Sequence, residues 1–220
     1  AYVMQDDALN ATSTPREALK FSARLRLGDS RTNEELDQLV EDILSRHLNL
    51  DLYRCLSDQY GDDYRVKDIE VVRCVDYGIT TLDGIESLSS LRVLDLHNSG
   101  TSLALNQIDS IQALLRPDGS TYSNQLQTIN LSGMYLHSST PLWESLNKQL
   151  HFLVSLRHLN LSNTSLDELP TFTSPLGPTL SLLSLHLTGN QLQNIEAISG
   201  LLALHYLFLD DNPLGSSTFD

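Results

Sequence analysis

From about residue 69 onward the apolar positions fall into one recurring phrase: an apolar residue, two others, a second, one other, a third, then a polar turn. The phrase is read at Leu91, Leu94 and Leu96; Leu126, Ile129 and Leu131; Leu156, Leu159 and Leu161; Leu182, Leu185 and Leu187; and Leu204, Leu207 and Leu209. A fainter copy stands at Ile69, Val72 and Cys74. The alternation within each phrase predicts a short strand with its apolar residues on one face. From first position to first position the copies run 22, 35, 30, 26 and 22 residues, and the sixth reads as incomplete at Asp220. The two 22-residue copies continue alike, Ile79, Leu82, Ile85 and Leu88 matching Leu192, Ile195, Ile198 and Leu201.

The longer copies carry their additions after the strand. Residues 103–115 set Leu105, Ile108, Ile111, Leu114 and Leu115 at helical spacing, which predicts a helix. Residues 141–154 open on Thr140-Pro141, a helix-start pair, and set Leu142, Trp143, Leu146, Leu150 and Leu153 on one side, with Trp143 read as core. Leu169 to Pro178 is proline-spaced and predicts extended chain, and residues 116–125 form a polar loop. Ahead of the phrases, residues 1–13 lack periodicity and read as a flexible lead. Residues 14–68 read as a helical segment. Thr14-Pro15-Arg16-Glu17 starts a helix running to Leu27, a second begins near Asn33, and a third spans Asp51 to Tyr60 with Gly61 ending it.

This spacing resembles the leucine-rich repeat, over roughly residues 69–220. The two regular copies resemble the 22-residue repeats of phosphatase-regulatory and internalin-type proteins. The run from Cys55 through Cys74 to Tyr77-Gly-Ile-Thr-Thr-Leu-Asp-Gly-Ile also looks like the entry to the repeats of exported bacterial members. The resemblance implies an α/β fold: a solenoid with a curved parallel sheet, an irregular and partly helical convex side, and an N-terminal α-helical cap over the first coil. The turn asparagine of such repeats is present only at Asn190 and Asn212. Tyr77, Ser99, Met134 and Thr164 hold the earlier places, which predicts irregular twist and uncertain strand alignment in the middle coils.

The net charge is −14, with the repeats more acidic than the segment before them. Such a surface repels phosphate backbones and argues against nucleic-acid binding. No run of about 18 apolar residues occurs, so no membrane span is predicted. The chain begins at Ala1, which leaves a removed leader sequence open. Cys55 falls in a helical pattern and Cys74 at an inward strand position. Either they bridge, pinning the cap to the first coil, or they are two buried thiols; the bridge is the expectation, and with it a secreted, periplasmic or cell-surface location.

With the leucines inward, the third, fifth and seventh positions of each copy face the concave surface. The fifth-position column is Arg73, Asp95, Asn130, Asn160, His186 and Phe208, with Asn130 and Asn160 expected to stack as an amide ladder. His158 and Tyr206 lie in the third column and Asp210 in the seventh. Exposed aromatics beside polar groups are what binding centres favour, so this face, especially from His158 to Asp210, is the expected partner site. The glycosylation-type triplets at Asn130 and Asn160 arise from the repeat pattern and read as coincidence. No zinc-type spacing or glycine-rich phosphate loop occurs, and Ser184 beside His186 lacks an oxyanion device, so no cofactor, metal or catalytic residue is predicted. The reading is a non-catalytic module binding a protein partner, with self-association through the last coil as a further expectation. The alternative is the recognition portion of a larger secreted enzyme or effector.

Overall fold

The computed structural model describes residues 20, 24, 32–37, 39, 50–61, 64, 68–115, 125–172 and 181–215. Each phrase forms one strand: β1 Val71–Arg73, β2 Val93–Asp95, β3 Thr128–Asn130, β4 His158–Asn160, β5 Ser184–His186 and β6 Tyr206–Phe208. They make one parallel sheet in chain order. Register is continuous, Val71, Val93, Thr128, His158, Ser184 and Tyr206 standing side by side across the whole sheet. The ladder extends one residue past each strand: Leu96 N–H donates to Asn130 O, Leu131 N–H to Asn160 O and Leu161 N–H to His186 O, all at 2.9 Å. The expected misalignment of the middle coils is therefore absent. Val72, Leu94, Ile129, Leu159 and Leu185 point into a single apolar core and are almost wholly buried. Each such side chain contributes about 1.5–3 kcal/mol of hydrophobic stabilisation.

Among the described residues, three of the five joins between neighbouring coils are tied by an asparagine side chain. Asn190 donates from Nδ2 to Leu161 O and Leu187 O and accepts from Leu166 N–H, tying two neighbouring coils. Asn212 does the same with Leu187 O, Leu209 O and Leu192 N–H. For the first two coils the equivalent group is buried Asn106, which donates to Cys74 O and Leu96 O and accepts from Ile79 N–H at 2.9 Å. Residues 99–105 are thus an insertion. Asn98 closes it, accepting from Asn106 N–H at 2.7 Å and donating to Asn106 O at 3.0 Å. This corrects the helix expected over 103–115. Only Gln112–Leu114 is helical there, as a 3-10 turn, and Leu105 is exposed. Ile108, Ile111 and Leu114 are buried as the counterparts of Ile79, Leu82 and Ile85.

The join between the second and third coils has no such tie, because Met134 stands at the asparagine place. Gln107 and Gln191 each donate a backbone bond at 2.8 Å to the preceding coil, at Ile79 O and Leu166 O. Among the described residues Tyr135, their counterpart, has no such bond to Ile108. A cleft of about 340 Å³ opens there, lined by Leu105, Ile108, Met134, Tyr135 and Leu142 among others. Close approach nearer the sheet is kept by Gly133, whose φ is 73° and whose added Cβ would lie 2.2 Å from Asn98 O.

The addition in the third coil is helix α2, Pro141–Gln149, followed by a 3-10 turn at Leu150–Phe152. Thr140 caps it by accepting from Trp143 N–H. Leu142, Leu146, Leu150 and Leu153 are buried, while Trp143 is half-buried with its indole N–H on Glu168 O at 2.9 Å. Residues 165–172 cross without helix, burying Leu169 and Phe172; the rest of the expected extended crossing, 173–178, lies outside the described residues.

Before the sheet lies helix α1, Leu50–Tyr60, with Gly61 following at φ 75°. Leu52, Cys55 and Leu56 form its buried face. Its side chains occupy the free edge of β1: Gln59 accepts from Arg73 N–H and donates to Val71 O, each at 3.0 Å, as a neighbouring strand would. Tyr60 also donates to Val71 O, and Cys55 and Cys74 form a disulfide. Tyr77 donates to Asp58 at 2.6 Å, and that bond is the chief reason its phenol is raised above its ordinary pKa. Of the two earlier helices, Asn33–Asp37 is helical, begun by reciprocal bonds between Thr32 and Glu35; the Thr14–Leu27 helix, save helical Lys20 and Arg24, and the 1–13 lead lie outside the described residues.

Candidate partner-binding face

The in-register sheet sets the fifth-position side chains in a row: Arg73, Asp95, Asn130, Asn160, His186 and Phe208. Arg73 and Phe208 at the ends are exposed and the others half-buried. His158 and Tyr206 of the third column and Asp210 of the seventh are exposed. Ser184 is the exception in the third column: it is buried, its hydroxyl 2.9 Å from His186 Nε2.

The amides of Asn130 and Asn160 do not form a ladder with each other. Each is turned along its own strand, Asn130 Oδ1 accepting from Ser132 N–H at 3.1 Å and Asn160 Oδ1 from Ser162 N–H at 3.0 Å. Ser132 Oγ donates to the same Asn130 oxygen at 2.9 Å. A backbone N–H can meet only the oxygen of an amide, so the orientation of both groups is fixed. Asp95 makes the same turn, accepting from His97 N–H, and its carboxylate also lies 2.7 Å from His97 Nδ1. This Asp95–His97 pair went unpredicted, though the same short polar residue two before a turn donor marks all three coils.

The far end gathers the aromatics. His186 and Phe208 stack with ring centroids 4.2 Å apart and planes at 12°. Burial, and then the charge of His158, hold the His186 imidazole below its ordinary pKa. Tyr206 is 62% exposed and Phe208 40%, beside exposed Asp210. Between the two regions lies a shallow depression of about 170 Å³, lined by Thr128, Asn130, His158, Asn160 and His186 over the backbone of Ile129 and Leu159. Among the described residues no group of three or more His, Cys, Asp or Glu converges on one point, and no helix is long and apolar enough to cross a membrane.

Six consecutive parallel strands in one register, each begun by the same apolar phrase, settle the architecture, and turn asparagines tie three of the five joins. The fold is a leucine-rich-repeat solenoid. Among solved structures, the chain is similar to internalin C2 of Listeria monocytogenes, at 18% identity over 80% of this chain and 90% of that one, with a TM-score of 0.37. A second internalin of the same organism aligns at 18% identity over 78% of this chain and 59% of that one, with a TM-score of 0.38. The solenoid assignment rests on the chain's own repeat and register rather than on those superpositions. An alignment 132 positions long, covering 53% of the chain, is 31% identical to ABC transporter G family member 2 of Dictyostelium discoideum. That alignment spans only 9% of the transporter's length. No family model matches the chain.

Proposed function

We propose that this solenoid is a non-catalytic protein-interaction module whose partner lies along the concave face, contacting Arg73, Asp95, Asn130, His158, Asn160, His186, Tyr206, Phe208 and Asp210. The observation that carries the reading is the exposure of Tyr206 and Phe208 on the sheet, where neither ring serves the core. Large amphipathic rings bordered by polar groups are where interface energy concentrates. The His186 stack holds Phe208 in place, so little side-chain freedom is lost when a partner covers it. The Cys55–Cys74 bridge supports an oxidising setting, hence a secreted or cell-surface protein.

The test uses the whole chain as immobilised bait for the surface and secreted proteins of its source, beside the double variant Tyr206→Ala/Phe208→Ala. Proteins captured by the native chain should be lost from the variant, a weakening of about 30-fold or more for two anchor rings. The variant's circular dichroism and melting temperature should stay native, since both rings lie outside the core. A captured set unchanged by the double substitution refutes the concave-face reading.

A further inference from the structure

The middle of the concave face differs in charge from everything around it. The protein carries 28 acids against 14 bases, yet residues 127–133, 157–163 and 183–189, which hold β3, β4 and β5 and their turns, contain no acid. Asp95 and Asp210 bracket this stretch, one on each side. At its centre lies the 170 Å³ depression. Asn130 Oδ1 accepts twice from Ser132 and Asn160 Oδ1 once from Ser162 N–H, so what the two amides have left to offer is chiefly their NH2 groups. The Asn130 NH2 has one long contact, 3.4 Å to His97 Nδ1, and among the described residues Asn160 Nδ2 has no protein partner. His158, exposed on the adjoining column, adds an imidazole N–H.

Resting on the concave-face reading above, we propose that this depression seats an acidic side chain, aspartate or glutamate, of the protein partner. A carboxylate is an acceptor-only group, and it meets two amide NH2 groups and an imidazole N–H. With no acid on the three strands, it enters without like-charge repulsion at contact distance. The turn bonds matter here because they hold both amides before the partner arrives, so the donors need no reorganisation. A lysine or arginine in the same place would face more donors than acceptors.

Asn160→Asp is the discriminating change. It keeps the oxygen that accepts from Ser162 N–H, as Asp95 does in its own coil, and replaces the NH2 donor with a second, charged oxygen. Asn130→Asp is the parallel variant. The probes are blocked hexaglutamate, hexaglutamine and hexalysine peptides, titrated into the full chain while the Asn130 and Asn160 side-chain amides and the His158 ring are followed by NMR. Hexaglutamate should move these signals, hexaglutamine and hexalysine should not, and either Asp variant should weaken the response about tenfold or more, the cost of trading a charge-assisted bond for a repulsion. No response to hexaglutamate at millimolar concentration, an equal response to hexaglutamine, or a preference for hexalysine overturns the proposal. If Tyr206→Ala/Phe208→Ala abolishes protein capture while Asn160→Asp and Asn130→Asp leave it intact, the concave-face reading stands and the carboxylate seat falls.

Discussion

Asparagine 106 shows how much of a fold one side chain can carry. Its three bonds satisfy a carbonyl in each of the first two coils and an amide at Ile79, all in the interior. Asn106→Ala would leave those backbone groups without partners, a loss of about 3 kcal/mol at ~1 kcal/mol or more for each stranded group. Urea unfolding should show that drop with an unchanged slope, and Asn190→Ala should cost a similar amount; a change below about 0.5 kcal/mol, the ordinary range for surface substitutions, contradicts the role. The residue was legible in hindsight. Asn106-Gln107-Ile108 repeats Asn190-Gln191-Leu192, but seven inserted residues hid it from a count made at fixed spacing from Leu96. The orientation of Asn130 and Asn160 was likewise hidden. Spacing places a side chain in a column, but only the local turn decides which of its atoms is spent.

At the scale of elements, strands were legible and connections were not. A strand here is fixed by two apolar contacts and the ladder beside it, both encoded in the phrase. The 103–115 segment carries apolar spacing that suits a helix and also suits a coil crossing the back of a solenoid, and tertiary pairing chose the second. By contrast, 141–149 carries a cap, a proline at its first turn and a lysine in its last, so its local signals agree with its packing. The insertion offers a direct check. Deleting residues 99–105 joins Asn98 to Asn106 and restores the phrase Leu94-x-Leu96-x-x-Asn-x-Ile, matching Leu185 to Leu192 in every apolar place. The shortened chain is expected to fold with native circular dichroism and a melting temperature within a few degrees of the parent, because the excised stretch holds exposed Leu103 and Leu105 and none of the core. Aggregation or loss of cooperative melting would contradict the assignment of an insertion.

For the whole molecule, a parallel sheet in chain order follows once the repeat is seen, since each coil can bury its apolar face only against its neighbours. The start of that sheet is less visible in the sequence. Gln59 imitates a strand with a single amide, and nothing in a helical pattern signals that use. The cysteines did signal the join. Replacing both Cys55 and Cys74 by Ala reopens a loop with a sequence separation of 19 and should cost about 3 kcal/mol by loop-closure entropy. For a chain of this size that is a fall in melting temperature of about 6–12 °C, read in thermal melts of the double variant and of the native protein with reductant. A fall of less than about 2 °C would mean that Gln59, Tyr60 and the buried face of α1 hold the cap unaided.

The Met134 join leaves a notch in an otherwise continuous solenoid. Both of its margins are held: on the sheet side Leu96 N–H donates to Asn130 O at 2.9 Å, and on the back Ile111 N–H donates to Ser145 Oγ at 3.0 Å, with Ser110 Oγ at the same distance from that hydroxyl. The cleft of about 340 Å³ therefore lies between two attachments, the ladder on one side and α2 on the other. Asp95 and Asn130 stay paired across the join, so the gap in the flank does not divide the concave face.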